Sequence, residues 1–481
     1  MTAAVTWPMT ASAGRAIIGQ MDRDGLTIVP EASEPLVRAR AGEPTADRAD
    51  NHDATEATEA TEATDQAAKQ PTGQRRAGTF RALHSRPFRL YFAGQIASAS
   101  GTFLQQTAMG WLVLKLTGNA ASLGLVLAAG GVPSLLFGPW GGSIADRVDL
   151  RRLLIGTQLA FGLLAGLLWA LALAGDANVP VIIAISLASG VVSIADSPAR
   201  QAFISSLVTP DDLSSAISLN GVVVNSARVV GPAIAGLLIA TVGTTPCFGV
   251  NAVSYVAVIV ALIAIRPLTA SAKKRKASGG VLAGLKYARG RQQLWLPLTM
   301  MALVGLLAFN FSVILPVLAE KTFHGSGGTY GLLSTLLSVG SVAGSLGVGL
   351  VRHPRRIYLV FSALAFGLAL TATAFAPNVA VACVTLLLTG LAAFSFVTMA
   401  STTLQLHSAP EYRGRIMALW VFVYIGTTPI GSVLTGAITS AGGTRAALLT
   451  GAAACLVAAG VAALVRTPPN PDAALTDLTV R

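Results

Sequence analysis

The sequence predicts an all-α membrane protein of twelve transmembrane helices, arranged as two six-helix pseudo-symmetric halves. Three observations lead there: an apolar composition, about twelve apolar runs of bilayer-crossing length, and an internal repeat. Of 481 residues, 53% are hydrophobic and only 12% charged, a balance foreign to ordinary soluble domains. The runs fall at 88–114, 121–142, 152–175, 180–204, 212–242, 246–266, 294–319, 328–350, 357–376, 378–404, 412–441 and 444–466, most at or above the roughly 20 residues a helix needs to cross hydrocarbon. The repeat needs no gap at an offset of 200 residues: Pro210 aligns with Pro410, Asp211 with Glu411, Leu219 with Leu419, Gly231 with Gly431, Gly236 with Gly436 and Gly243 with Gly443. The fifth and eleventh spans therefore read as copies, as in transporters built from parallel repeats.

Residues 1–80 are a different material, rich in Ala, Thr, Glu, Asp and Arg, with an Ala-Thr-Glu repeat between Ala54 and Asp65. Such a segment has too little apolar surface to fold and is expected to be a disordered cytoplasmic tail. Arg15, Asp22 and Asp24 interrupt its apolar stretch, unlike the core of a secretory leader. The expected divisions are this tail, a first half at 81–266, a basic linker at 267–293, a second half at 294–466 and a tail at 467–481.

The net charge of +12 raises the question of nucleic acid, and the placement of the basic residues answers it. Arg75, Arg76, Arg81, Arg86 and Arg89 precede the first span, Arg147, Arg151 and Arg152 follow the second, and Lys273 to Lys276 with Lys286, Arg289 and Arg291 follow the sixth. Arg355 and Arg356 follow the eighth, and Arg413 and Arg415 begin the eleventh. The alternate loops hold little more than Lys115, Lys321 and Arg445. A one-sided bias is topogenic, and it puts both termini and the even-to-odd loops in the cytoplasm of a cell whose inner membrane holds the protein. No nucleic-acid partner is implied.

Along the first span Gln95, Ser98, Thr102, Gln105, Gln106 and Met109 share about one face. The second and third spans are joined by a charged hairpin, Gly141-Gly142-Ser143-Ile144-Ala145-Asp146-Arg147-Val148-Asp149-Leu150-Arg151-Arg152. The pattern of glycine, Asp-Arg and a basic pair resembles the loop signature of the major facilitator superfamily of transporters. That resemblance implies a conformational latch in which Gly142, Asp146, Arg147, Arg151 and Arg152 work against Arg413 and Arg415 at the start of the eleventh span, where positive charge and a helix N-terminus suit a carboxylate. Asp149 and Leu150 depart from the common pattern. The corresponding loop of the second half keeps a basic pair, Arg355-Arg356, and has no acid.

The fourth span carries Ser186, Ser189, Ser193, Asp196, Ser197 and Arg200 at three- and four-residue steps, and the fifth answers with Ser218, Gly221, Asn225, Arg228 and Pro232. An ionisable residue inside a span is costly and faces a cavity or a partner. Asp196 and Arg228 are accordingly the candidates for proton coupling. At 1.5 Å rise per residue they would lie roughly 12 Å and roughly 24 Å from the cytoplasmic end, and Arg228 is long enough for contact. Two readings stay open: a permanent ion pair fixing the helices, or a proton-responsive pair charged in one state and neutral in another.

Around Gly231, Pro232 and Gly236 the fifth span resembles the Gly-Pro signature of drug:proton antiporters. With Ala195-Asp196-Ser197-Pro198-Ala199-Arg200-Gln201, the chain is similar to the bacterial enterobactin-exporter and macrolide-efflux branch. The resemblance implies proton-driven efflux of a small amphipathic molecule. Stripes from the first, fourth, fifth, seventh, tenth and eleventh spans would line its cavity: Gln95, Thr102, Gln105, Gln106, Ser193, Asn225, Asn310, Gln405, Trp420 and Tyr424.

Cys247, Cys383 and Cys455 lie in spans without metal spacing, and no histidine pairing, nucleophile elbow or phosphate loop stands out. Neither an enzyme nor a metal or other cofactor is expected. The expected partners are a small-molecule substrate, the proton gradient and the lipid bilayer, with the protein acting as a monomer. An importer of the same fold, or a nontransporting scaffold recruiting partners through the tail, are the alternatives.

Overall fold

The computed structural model describes residues 80–145, 147–265, 281–349, 351 and 355–465. Most of the N-terminal tail, Asp146, the Lys273–Lys276 cluster and the C-terminal tail lie outside them.

Among the described residues, ten helices are long and apolar enough to cross a membrane. One, Pro410–Leu464, contains two spans, because Gly443 adopts φ 75° in its middle and reverses the chain there. A further crossing helix, Arg86–Thr117, is less apolar because it carries the glutamine and hydroxyl stripe, and twelve spans result. The other helices are Ala120–Ala145, Leu150–Ala174, Val179–Ser206, Leu213–Thr241, Thr245–Ala264, Gly327–Gly349, Arg356–Ala374 and Val379–His407, with a short connecting helix at Val281–Arg289. The seventh span is broken into Gln292–Leu307 and Phe311–Val317 and ends in a π turn, Leu318–Thr322. At the break the Asn310 side chain donates to Leu306 O at 2.8 Å, satisfying a carbonyl the interrupted helix leaves over.

Local chemistry sets the helix ends. Asn178 and Asn378, 200 residues apart, each accept a hydrogen bond from the backbone N–H three residues on and start the fourth and tenth spans. Asp149, a departure from the hairpin pattern, has the same task for the third span, accepting from Arg152 N at 2.9 Å. Arg151 donates to the C-terminal carbonyls Leu262 O and Ile263 O of the sixth span, and Arg356 likewise to Ala462 O and Val465 O beyond the twelfth.

The two halves repeat each other contact by contact. A Cβ on Gly190 would fall 2.4 Å from Gly130 O, and one on Gly390 2.0 Å from Leu337 O, so the second and fourth spans touch as the eighth and tenth do. Gly231 meets Phe103 and Leu104 of the first span, while Gly431 meets Leu306 and Asn310 of the seventh. Outward-facing Leu163, Leu237, Val253, Leu346 and Leu368 are exposed in the isolated chain and belong to the lipid-facing surface.

The halves close on one another at one end. A Cβ on Gly331 would sit 2.3 Å from Gly236 Cα, one on Gly124 2.3 Å from Ser432 O, and one on Gly436 2.8 Å from Ala120 O. These are backbone-to-backbone contacts of the fifth with the eighth span and the second with the eleventh. The Trp111 and Tyr330 rings stack at 6.0 Å beside them, Lys115 pairs with Glu320 at 2.8 Å, and Ser440 Oγ donates to Asn119 Oδ1 at 2.6 Å. Toward the other end the spans part. Gly124, Gly131 and Gly138 recur at seven-residue steps on one face of the second span. The first touches Ser432, the second would meet Pro429 at 2.6 Å, and the third has nothing within 4 Å. Gly221, Gly347 and Gly414, at the same end of the fifth, eighth and eleventh spans, are equally clear.

Candidate functional site

A cavity of about 700 Å³ lies between the halves, lined by residues of both, a volume suited to a drug-sized ligand. Hydroxyls dominate its polar lining: Ser98, Thr102, Ser186, Ser189 and Ser193 from one half, and Ser334, Ser338, Ser341 and Thr428 from the other. Phe103, Phe309, Phe394 and Tyr424 supply apolar surface. Phe309 stands edge-on to Phe394 at 6.2 Å and to Tyr424 at 6.1 Å, which braces these rings against one another.

Thr102, Gln105, Gln106, Ser193 and Tyr424 line this space as the helical stripes suggest. The other expected lining residues do not. Gln95 is turned into the first half, where it accepts from Arg200 Nη1. Asn310 is buried at the break in the seventh span, its oxygen accepting from Ser432 Oγ at 3.4 Å. Trp420 is stacked flat behind Tyr424 and buried by it. Asn225 and Gln405 sit nearer the open end of their helices, short of the cavity, and Gln405 is exposed.

The charged centre differs from the expected pair. Asp196 is buried, and its partner is Arg200, one turn along the same helix, with Nη2 2.7 Å and Nε 3.3 Å from Oδ2. Oδ1 accepts from Thr157 Oγ1 at 2.7 Å and from Gln158 Nε2 at 2.8 Å. Both oxygens are thus taken, and Arg228 is not among the donors. Both residues border the cavity, but Asp196 lies on the side of the fourth span next to the third, where Thr157, Gln158 and Arg200 fill its oxygens, whereas Arg228 enters from the fifth span between aromatic rings.

Thr157 and Gln158 were not singled out in the sequence. The available signal is that they form the only adjacent polar pair between Leu153 and Ala174. A polar pair in so apolar a span has to meet a polar group on a neighbouring helix.

Arg228 lines the cavity with its guanidinium 5.6 Å from the Phe103 ring and 4.9 Å from the Phe394 ring, so it links the fifth span to the first and, across the halves, to the tenth. Its buried Nε has no hydrogen-bond partner. Among the described residues no carboxylate pairs with it. Aromatic faces return about 2 kcal/mol to a desolvated cation, against several kcal/mol for taking an ion out of water. Since Asp196 and Arg200 neutralise each other, the described residues leave one uncompensated positive charge in the cavity.

The latch residues separate into several surroundings. Arg147 and Arg413 are exposed, Arg151 is committed to the sixth span, and Arg415 lies 5.0 Å over the Tyr412 ring. Arg152 is exposed, with its backbone N–H held by Asp149, and Gly142 has no atom within 4 Å of a Cβ position. Gly231, Pro232 and Gly236 lie at the contacts of the fifth span with the first and eighth, with Pro232 buried at the cavity wall.

Known proteins resemble the whole helical region. The staphyloferrin A transporter of Staphylococcus aureus is 28% identical over 359 residues, covering 72% of this chain and 87% of that one. The multidrug efflux pump Tap of Mycobacterium tuberculosis is 28% identical over 378 residues, covering 75% and 89%. The crystal structure of a bacterial homologue of the lysosomal transporter Spinster, inward-facing and unoccupied, superposes with a TM-score of 0.65 at 13% identity, over 80% of this chain and 99% of that one. Residues 77–479 match the family described as transmembrane secretion effector. The chain therefore belongs to that family within the major facilitator superfamily, as a multi-pass membrane transporter of small molecules rather than an enzyme.

Proposed function

We propose that this protein exports a small amphipathic molecule across the bacterial inner membrane by proton-coupled antiport, as a monomer with both termini in the cytoplasm. The observation that carries the reading is the one-sided seal. Glycine contacts close the cavity at the end bearing Lys115 and Glu320, and the spans part at the end bearing the basic hairpins. With the basic loops cytoplasmic, the cavity opens toward the cell interior, the state in which an exporter loads and an importer releases. The efflux and transport proteins similar over most of its length support the direction.

In this reading the halves, 81–266 and 294–466, rock about the cavity, and the hairpin at Asp146 with Arg413 and Arg415 holds the cytoplasmic end in the alternate state. Asp196 is the proton-responsive group. Neutralising it would cancel the charge that holds Arg200 and would change the anchoring of Gln95 in the first span. Arg228, held over rings from both halves, is the second residue proposed to take part in coupling.

Inside-out vesicles test the proposal. A fluorescent amphiphile should accumulate inward when a proton gradient is imposed and should not when the gradient is collapsed. Release from preloaded vesicles on energisation would contradict export. Asp196→Asn should abolish dependence on the gradient, and unchanged coupling in that variant would remove Asp196 as the proton site.

A further inference from the structure

We infer that the central cavity selects an amphipathic anion, with Arg228 binding the acid group of the transported molecule, a carboxylate or comparable oxyanion. This deepens the transport reading and rests on it. Of the charged groups lining the cavity, Asp196 and Arg200 are spent on each other, and Thr157, Gln158 and Gln95 complete their hydrogen bonding. Arg228 has only the faces of Phe103 and Phe394, and its buried Nε is unsatisfied. A guanidinium presents several donors in a plane that matches an oxyanion and is more weakly hydrated than an ammonium. The aromatic surfaces that hold it would also receive the apolar body attached to the acid.

The setting opposes the other charge type. A cationic amphiphile entering the cavity would meet Arg228 with no free carboxylate to compensate it, because both Asp196 oxygens are occupied. Serine and threonine hydroxyls around the wall can donate to the remaining oxygens of an acid. Arg228 belongs to the first half and Phe394 to the second, so an anion drawn to the guanidinium sits at the seam whose opening and closing constitutes transport.

Two dyes with one xanthene ring system provide the probe: fluorescein, an anion near neutral pH, and rhodamine 6G, a cation. Anisotropy titrations on the purified full-length protein should show fluorescein bound about tenfold or more tightly than rhodamine 6G, a difference of about 1.4 kcal/mol. Arg228→Gln should erase that preference, and Arg228→Lys should keep most of it. Equal or tighter binding of rhodamine 6G by the unaltered protein overturns the inference without needing any variant. So does absence of saturable fluorescein binding, or an Arg228→Gln protein that keeps the preference. Adding phosphatidylglycerol separates the two sources of an acid: undiminished fluorescein binding supports a soluble substrate, and displacement at low lipid fraction overturns the substrate assignment in favour of a lipid headgroup. A protein that binds fluorescein as expected but shows no gradient-driven transport in vesicles would count against proton-coupled export alone.

Discussion

Arg200 reaches back one helical turn to Asp196, with Nη2 2.7 Å from Oδ2, and holds Gln95 of the first span with its other terminal nitrogen. The buried acid of the fourth span is thereby tied to two neighbouring helices, the third through Thr157 and Gln158 and the first through Arg200. The unpaired cation stands elsewhere, at Arg228.

This arrangement predicts a non-additive pair. Asp196→Asn leaves the Arg200 charge partly buried, and since that side chain keeps 27% exposure, the loss should be about 1–3 kcal/mol, below the range for a fully buried broken pair. Arg200→Gln in the same chain should restore part of it. Thermal unfolding in detergent of the two single variants and the double variant measures the coupling, and strictly additive shifts would show that the pair is energetically idle.

A side chain at Gly331 cannot coexist with the closed end, because even a Cβ would lie 2.3 Å from Gly236 Cα. Gly331→Leu should shift the protein toward the state that is parted there. Ala120→Cys, buried at the seal where Gly436 meets the Ala120 carbonyl, should then react with a membrane-impermeant maleimide several-fold faster than in the glycine parent. Equal rates would mean that the contact does not govern closure.

Sidedness is open to the same chemistry in chains whose native cysteines are replaced by alanine. Asn119→Cys should be modified in intact cells, whereas Arg355→Cys, in the loop after the eighth span, should react only after permeabilisation. The reverse pattern would invert the proposed topology.

The Lys115–Glu320 pair crosses the seal, but Lys115 is 53% exposed and water screens it. Glu320→Gln should therefore move the open–closed balance by less than about 1 kcal/mol, an effect that fades in high salt. Labelling of Ala120→Cys, buried at the seal, reads this directly, and a much larger shift would mean the ion pair outweighs the glycine contacts.

Residues 1–74, within the expected tail, precede the first described residue, Phe80. Removing them should leave the transport rate per molecule within about twofold. Loss of transport in a correctly inserted truncated chain would give the tail a working part in the cycle.

The twelve spans and the repeat were legible because apolar run length and paired glycines survive in one dimension. Gly190 with Gly390 and Gly236 with Gly436 occupy matching helix contacts, as an offset of 200 implies. The partners of those glycines follow a different spacing, Gly124 with Gly331 and Gly130 with Leu337, so a single ungapped alignment reveals only part of the symmetry. Spacing also placed Asp196 on a polar face. It could not say which way that face turns, since depth along a helix carries no information on rotation toward a neighbour, and the acid proved to face Thr157 and Gln158. Gln95 shares a stripe with Thr102 and Gln106 but is drawn into the first half by Arg200. Trp420 is one turn from the cavity-lining Tyr424 and hidden by it.

Where large side chains interlock, two helices must first unmesh, each withdrawing its knobs past the other, and the barrier to separation grows with every knob. At Gly236 against Gly331 and Gly124 against Ser432 the backbones themselves meet. Such faces act as bearings: they hold firmly when pressed together, yet they can roll apart or return without waiting for rotamers to rearrange. In the proposed cycle these backbone faces part freely, and what has to break at the seal is the side chains that cross it: the Trp111–Tyr330 stack, the Lys115–Glu320 pair and the Ser440–Asn119 hydrogen bond.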